Sequence, residues 1–381
     1  MTLHDLRDLV AAQPAFETLR QTTDGMAPGQ SIRIKGAAGS LPAFVLADLL
    51  EASGGPIVAL LPESESADYL RSDLEQLLGS DDQVLFFPPT GHAPYDPDQL
   101  TDSLPLVQRA DALGHLREGF DGILVTSVEA ISEKVPPPDT VQDETMSVRV
   151  GDEVAPEALM ERLTSQGFEP VEFVNAPGEV ATRGGILDVY PFAGGFPIRL
   201  EFFGDEVDEI REFDPANQRS VSRLEVARLI PNLGETTVQI GTVAVTPLAF
   251  LPSHTPLVLF DSARMPDLAR DLYDSATTAY EEYAASGHDE PVAPPETRYL
   301  SPESLGATIA NHPTLTFGTF ASGDADTTVD LGGTPQPEVG GDVTRLRQRL
   351  IERSTTWTQA ILCDSTSQKN RLFEILAVAA E

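Results

Sequence analysis

Short apolar strands separated by helix-length amphipathic segments fill the first third of the chain and restrict what it can fold into. Ser31–Lys35, Ile57–Leu61, Val84–Phe87 and Gly122–Thr126 each read as a strand. Helical spacing occupies the intervals: from GAAGS (36–40) through Leu50, over Ser64–Leu78, and over 103–118. An amphipathic helix at 5–21, carrying Leu6, Leu9, Val10 and Phe16, precedes them. Strands alternating with helices of this length predict a parallel α/β sheet.

The texture changes after the triple proline at 136–138. Beyond MSVRVGDEV (146–154) and a helix at 156–166, residues 185–230 alternate apolar and polar positions between tight turns, the pattern of antiparallel hairpins. Strand Pro256–Phe260 and a helix at 264–283 then restore the first pattern. The expected organisation is a discontinuous α/β domain over 1–137 and 233–287, with an inserted α+β domain over 138–232. Pro-, Gly- and Asp-rich residues predict a linker at 288–312. A small α/β domain is expected over 313–381, with a strand at Ala360–Cys363 between two helices. At 381 residues the chain suits two or three domains of about 150 residues.

Composition excludes several function classes. Hydrophobic residues at 41% and charged residues at 22% are globular values. No apolar run approaches the roughly 20 residues of a membrane span, and residues 1–9 lack a signal-peptide core. Cys363 is the one cysteine, which excludes a disulfide framework and a cysteine metal cluster. The six histidines are scattered, so no metal site is expected. These features predict a soluble, cytoplasmic protein. Sixty acidic residues against 25 basic ones give a net charge of −35, which repels a phosphate backbone and argues against duplex binding by this chain alone. The acids are spread through every segment, which favours adaptation to a salt-rich cytoplasm over a dedicated surface for a basic partner.

A phosphate-cradling loop needs a Gly-rich turn followed by Gly-Lys-Ser/Thr, where lysine neutralises the phosphates and the hydroxyl holds Mg²⁺. Gly36, Gly39 and Ser40 provide the turn, but Leu41, Pro42 and Ala43 stand where the working groups belong. Pro42 removes both a charge and a backbone donor. The loop keeps the scaffold of a nucleotide site without its chemistry. Ser40 also lacks the second glycine of a nucleophile elbow, and carboxylate pairs such as Asp205-Glu206 are ordinary solvated surface in so acidic a chain.

The hairpins are more informative. Period-two alternation over PIRLEFFG (197–204) sends Ile198, Leu200 and Phe202 to one face and Arg199, Glu201 and Phe203 to the other. The first set is core. The second places an aromatic among charges, the composition of a binding patch, and Arg183 in ATRGG could join it. The pattern also allows Phe203 to pack under a neighbouring helix while the charges pair locally, and by itself slightly favours that alternative.

The run from Gly178 to Arg219 resembles domain 2 of the UvrB excision-repair helicases, and still more closely the same module in the bacterial transcription-repair coupling factors (the Mfd family). GAAGS (36–40), PPTGHAPYDPDQ (88–99) and GILVTSVEAI (122–131) support the resemblance, which covers about 1–232 well and 255–285 more weakly. It implies a degenerate RecA-like, P-loop-type parallel-sheet domain with the α+β module inserted, and a small α/β third domain. UvrB has an intact phosphate loop and a DNA-clamping hairpin. This chain has Leu41-Pro42-Ala43 at the first and only a short helix between Tyr95 and Gly122 at the second, as the coupling factors do.

The resemblance implies recruitment of UvrA, the damage-recognition ATPase, to lesions marked by stalled RNA polymerase. Carried over position by position, the UvrA-binding residues are Arg183, Arg199 and Phe203, with Glu201 and Asp188 as neighbours. It further implies a monomeric, non-catalytic N-terminal fragment without a cofactor. RNA polymerase and DNA would be partners of the full-length translocase through regions outside these 381 residues. The alternative is a residual NTP-binding or ATPase domain of a UvrB-like repair helicase using Gly36–Ser40.

Overall fold

The computed structural model describes residues 2–80, 82–91, 93–95, 103–139, 146–192, 196–229, 243–286, 292–318, 325–335, 342–354, 358–361, 363 and 365–378. Along the chain, α1 (Leu3–Ala11) and α2 (Pro14–Thr23) precede β1 (Ser31–Lys35), α3 (Leu41–Ser53), β2 (Ile57–Leu61), α4 (Ser64–Leu78), β3 (Val84–Phe87), α5 (Ser103–Glu118), β4 (Ile123–Ser127) and α6 (Val128–Ser132). The one helix expected at 5–21 is two. Proline has no N–H and clashes with the preceding turn, so the helix ends before Pro14, which opens α2 instead.

Next come β5 (Met146–Arg149), α7 (Pro156–Ser165), β6 (Glu169–Pro170), β7 (Glu179–Arg183), β8 (Ile186–Val189), β9 (Ile198–Phe203), β10 (Glu206–Phe213), β11 (Ser220–Leu224) and β12 (Val226–Leu229). The chain closes with β13 (Leu257–Phe260), α8 (Met265–Ala285), α9 (Pro295–Arg298), α10 (Pro302–Ala310), β14 (Thr314–Phe317), β15 (Thr327–Asp330), α11 (Val343–Arg353) and α12 (Thr366–Val378).

Seven strands form one parallel sheet in the order β15-β1-β14-β13-β2-β4-β3. Its two faces feed different cores. Val58 and Leu60 of β2 point into one cluster with Phe87 and Leu124, while Ile57, Ala59 and Leu61 point into another with Ile32, Ile34 and the buried face of α3. Burial on both faces explains why these strands read as continuous apolar runs. A second sheet, β11-β10-β9-β8-β7-β6, is antiparallel except for the short β6–β7 pairing, and β5 pairs with β12 beside it. Mixed α/β architecture with a large parallel sheet and an antiparallel unit matches the expected fold class. The chain leaves the parallel sheet after β4, builds β5–β12, and re-enters it as β13.

The C-terminal part differs from expectation. β14 lies between β1 and β13, and β15 forms the edge beyond β1, so residues 314–330 complete the first sheet rather than begin a separate domain at 313. The expected linker at 288–312 holds α9 and α10, and Leu305 of α10 is buried in the shared core. Four-residue strands such as TLTF and TTVD carry too little pattern to announce a sheet position set by non-local pairing. Ala360, Ile361 and Cys363 have no strand assignment. His92, His288, residues 96–99 of the PPTGHAPYDPDQ motif and residues 233–242 lie outside the described residues.

Candidate functional site

The antiparallel sheet is held in register by two glycines that the ATRGG motif supplies. Gly184 turns β7 into β8 with φ +61°, a left-handed conformation that favours glycine. At Gly185 a Cβ would meet the Phe202 carbonyl oxygen at 2.9 Å, and the Phe202 N–H donates to the Gly185 carbonyl at 2.8 Å. The close approach aligns Asp188 with Arg199, and Ile186 with Glu201. Ile198 and Leu200 are buried in the main core and Phe202 packs against it, as the alternation requires. Arg199, Glu201 and Phe203 take the opposite face.

On that face the structure joins three of the expected residues and separates the other two. Asp188 is 1% exposed. Its Oδ1 accepts from Arg199 Nε at 2.6 Å, and its Oδ2 accepts from Arg199 Nη2 at 2.7 Å and Arg183 Nη2 at 2.6 Å. These charge-assisted contacts are short because both partners are ionised. The bond to Asp188 pushes the Arg199 guanidinium above its ordinary range against the effect of burial. Each arginine also stacks on a ring: Arg183 Cζ lies 4.3 Å from the centroid of Phe173, and Arg199 Cζ 4.4 Å from that of Phe213. Gln218 accepts from Arg199 Nη2 at 2.8 Å. Phe213 belongs to a small satellite core with Val174 and Ala181, so the arginines rest on an apolar floor.

Glu201 pairs with Arg211 of the neighbouring strand. Arg223 Nε approaches Glu209 Oε1 at 3.0 Å without an aligned hydrogen bond, leaving that contact an ion pair. Phe203 stands apart. It ends β9 beside the turn at Gly204 and is 83% exposed. Both alternatives left by the sequence pattern are therefore half right: the charges pair locally, and the aromatic faces solvent.

Local contacts within the loop at 36–43 take up two of its amides. The Leu41 N–H goes to the Ala38 carbonyl at 3.3 Å, the Ala43 N–H goes to the Ser40 carbonyl at 3.0 Å, and Pro42 has none. Gly39 takes φ +62° and Ser40 caps α3 without a side-chain bond. The segment after β15 lies across the entrance: the Leu331 N–H donates to the Lys35 carbonyl at 2.9 Å, and a Cβ on Gly333 would sit 2.2 Å from the Gly36 oxygen. An anion-binding loop presents such amides outward. Here the Leu41 and Ala43 amides bond within the turn, which the strap at 331–333 crosses.

Residues 146–233 match the family model described as the UvrB interaction domain. This segment is a UvrB interaction domain. The match begins at the first residue of β5 and runs just past β12, so it takes in the whole antiparallel sheet and the arginine network. The chain is also 35% identical over 234 residues to the transcription-repair-coupling factor of Myxococcus xanthus, covering 60% of this chain and 19% of that protein. It is 32% identical over 198 residues to the one from Bacillus subtilis (52% and 17%), and 30% identical over 193 residues to the one from Escherichia coli (51% and 17%). The kinship with the coupling factors implied by the resemblance holds, and the chain spans under a fifth of the length of these relatives.

Within the UvrB interaction domain, sequence reasoning missed Phe173, Arg211, Phe213 and Gln218. Arg211 and Phe213 share the parity of Glu209 on β10, so the alternation used on β9 would have placed them on the same face. Gln218 bends into the network through φ +61° in the turn after β10, and Phe173 lies outside any strand; neither has a periodic signal.

Proposed function

We propose that this chain is a non-catalytic adaptor whose UvrB interaction domain binds UvrA through Arg183, Arg199 and Phe203, bringing excision repair to lesions where transcription has stalled. The observation that carries it is Phe203, a solvent-facing aromatic at the edge of an internally braced arginine pair, on the domain that matches the family. An exposed ring costs the free chain apolar hydration, and an apolar socket on a partner recovers that cost. The arginines add planar donors whose geometry is set before contact, so little side-chain entropy is lost on binding. Glu201 is the acidic neighbour, tied to Arg211, and Asp188 lies beneath the surface.

The loop at 36–43, crossed by the strap at 331–333, supports the absence of catalysis. With Leu41, Pro42 and Ala43 at the Gly-Lys-Ser/Thr positions, it lacks the lysine and the correctly placed hydroxyl that would hold a triphosphate and Mg²⁺. No helix among the described residues is long and apolar enough to cross a membrane. RNA polymerase and DNA would be contacted by other parts of a longer protein of the coupling-factor kind. The test is binding to purified UvrA. Arg199→Ala and Phe203→Ala should each weaken it by about 1–2 kcal/mol or more, the loss expected of an interface anchor. Two variants that bind like wild type would place the surface elsewhere.

A further inference from the structure

We infer that Asp188 is a positioning residue for partner recognition: it never meets the partner, and it fixes which edges of Arg183 and Arg199 the partner meets. The inference rests on the adaptor reading above.

Asp188 is almost wholly buried, so a docked surface cannot reach it. Its two oxygens consume the Nε/Nη2 edge of Arg199 and the Nη2 donor of Arg183. That edge of Arg199 is the fork with which arginine ordinarily grips a carboxylate side-on. Gln218 draws further on Arg199 Nη2. Among the described residues, nothing accepts from Nη1 of Arg199 or from Nε and Nη1 of Arg183. The side chain of Arg183 keeps 33% of its surface exposed and that of Arg199 keeps 14%. What the face offers a partner is therefore the Nη1 end of Arg199 and the free edge of Arg183. The fork of Arg199 is unavailable.

The three groups carry a net charge of +1 on a chain whose net charge is −35. A partner oxygen, from a carboxylate or a backbone carbonyl, suits Arg199 end-on. A fork-to-fork carboxylate clamp on Arg199 does not, because the clamp is already closed on Asp188. Stacking on Phe173 and Phe213 fixes the guanidinium planes, so Asp188 sets direction while the rings set tilt. Phe203 lies outside this network and contributes independently.

The test is a set of affinities for UvrA measured with the full 381-residue chain. Asp188→Asn keeps the shape of the side chain and removes its charge; it should weaken binding tenfold or more. In an Arg183→Ala/Arg199→Ala background the same substitution should add less than twofold, because a positioning residue acts only through the groups it positions. Combined with Phe203→Ala its effect should multiply. General loosening of the sheet would instead cost the same factor in every background. Nitrogen-detected NMR of the arginine Nε–H groups in the wild-type chain gives a second readout that needs no variant. Arg199 Nε–H should be protected from exchange in the free chain, and Arg183 Nε–H should not.

Asp188→Asn binding within twofold of wild type, an equal loss in the double-alanine background, or an unprotected Arg199 Nε–H each overturns the inference and leaves the adaptor reading standing. Failure of the folded wild-type chain to bind UvrA overturns both.

Discussion

Replacing Asp188 by alanine tests how the arginine face is held together. The substitution removes three charge-assisted hydrogen bonds and leaves two guanidinium groups against the Phe173 and Phe213 rings. Breaking a buried pair by removing one partner costs about 3–5 kcal/mol when the survivor cannot reach water. Here Arg183 and Arg199 keep 33% and 14% of their side-chain surface exposed, and Arg199 keeps Gln218, so both can partly rehydrate. The expected loss is about 2–4 kcal/mol. A multidomain chain has no single unfolding free energy, so the measurement is amide hydrogen exchange on β8 and β9, which reports the local opening of that sheet. At about 1.4 kcal/mol per tenfold, protection should fall by roughly 30- to 1000-fold. Removing all three charged groups together, as Asp188→Ala/Arg183→Met/Arg199→Met, should cost less than Asp188→Ala alone because no unpaired charge remains. A single substitution costing under about 1 kcal/mol, or a triple costing more than the single, refutes the physical account.

Three further outcomes follow from the rest of the fold. Gly333→Ala should lower amide-exchange protection on β1 and β15 by roughly 5- to 150-fold, since its Cβ would drive into the Gly36 oxygen and overpacking of this kind costs about 1–3 kcal/mol; unchanged protection means the strap does not press on the loop. Burial, and then the neighbouring Glu133 charge, push the Glu129 carboxyl above 4.5. Ionising it therefore costs the folded state more than the unfolded one, and that cost appears as pH rises through the window above 4.5. Glu129→Gln should stabilise the chain more at pH 8 than at pH 5, and a gain independent of pH contradicts the assignment. Calorimetric titration with ATP and Mg²⁺ should give no saturable heat, whereas micromolar binding would restore the nucleotide-site alternative at Gly36–Ser40.

Much of the architecture was legible because period and length decide element type. β2 and β4 read as buried strands because both faces of the parallel sheet are covered, and β9 read as half-buried because its residues alternate. What stayed hidden was set by contacts distant in sequence. β14 joins β1 across nearly the whole chain, and nothing local in TLTF announces a central place in the sheet. The break at Pro14 was readable from proline chemistry and was overridden by the apolar spacing on either side. At the candidate site, alternation found the face but not its wiring. Arg183 and Arg199 could be named from the hairpin, while their closure on Asp188 depends on the register that Gly184 and Gly185 impose. That closure alters the chemistry, since an arginine whose fork is filled internally offers a partner only its remaining donors.

On the proposed reading, the UvrB interaction domain of this chain presents a preformed surface for UvrA. Calorimetric titration of the wild-type chain into purified UvrA, without DNA or nucleotide, tests it most directly. Low and molar salt both belong in the measurement, because a net charge of −35 opposes compaction and association until it is screened. Saturable binding in at least one salt condition, weakened by Phe203→Ala by about 1–2 kcal/mol or more while the fold is retained, is the predicted result. A folded chain that gives no binding in either condition contradicts the claim.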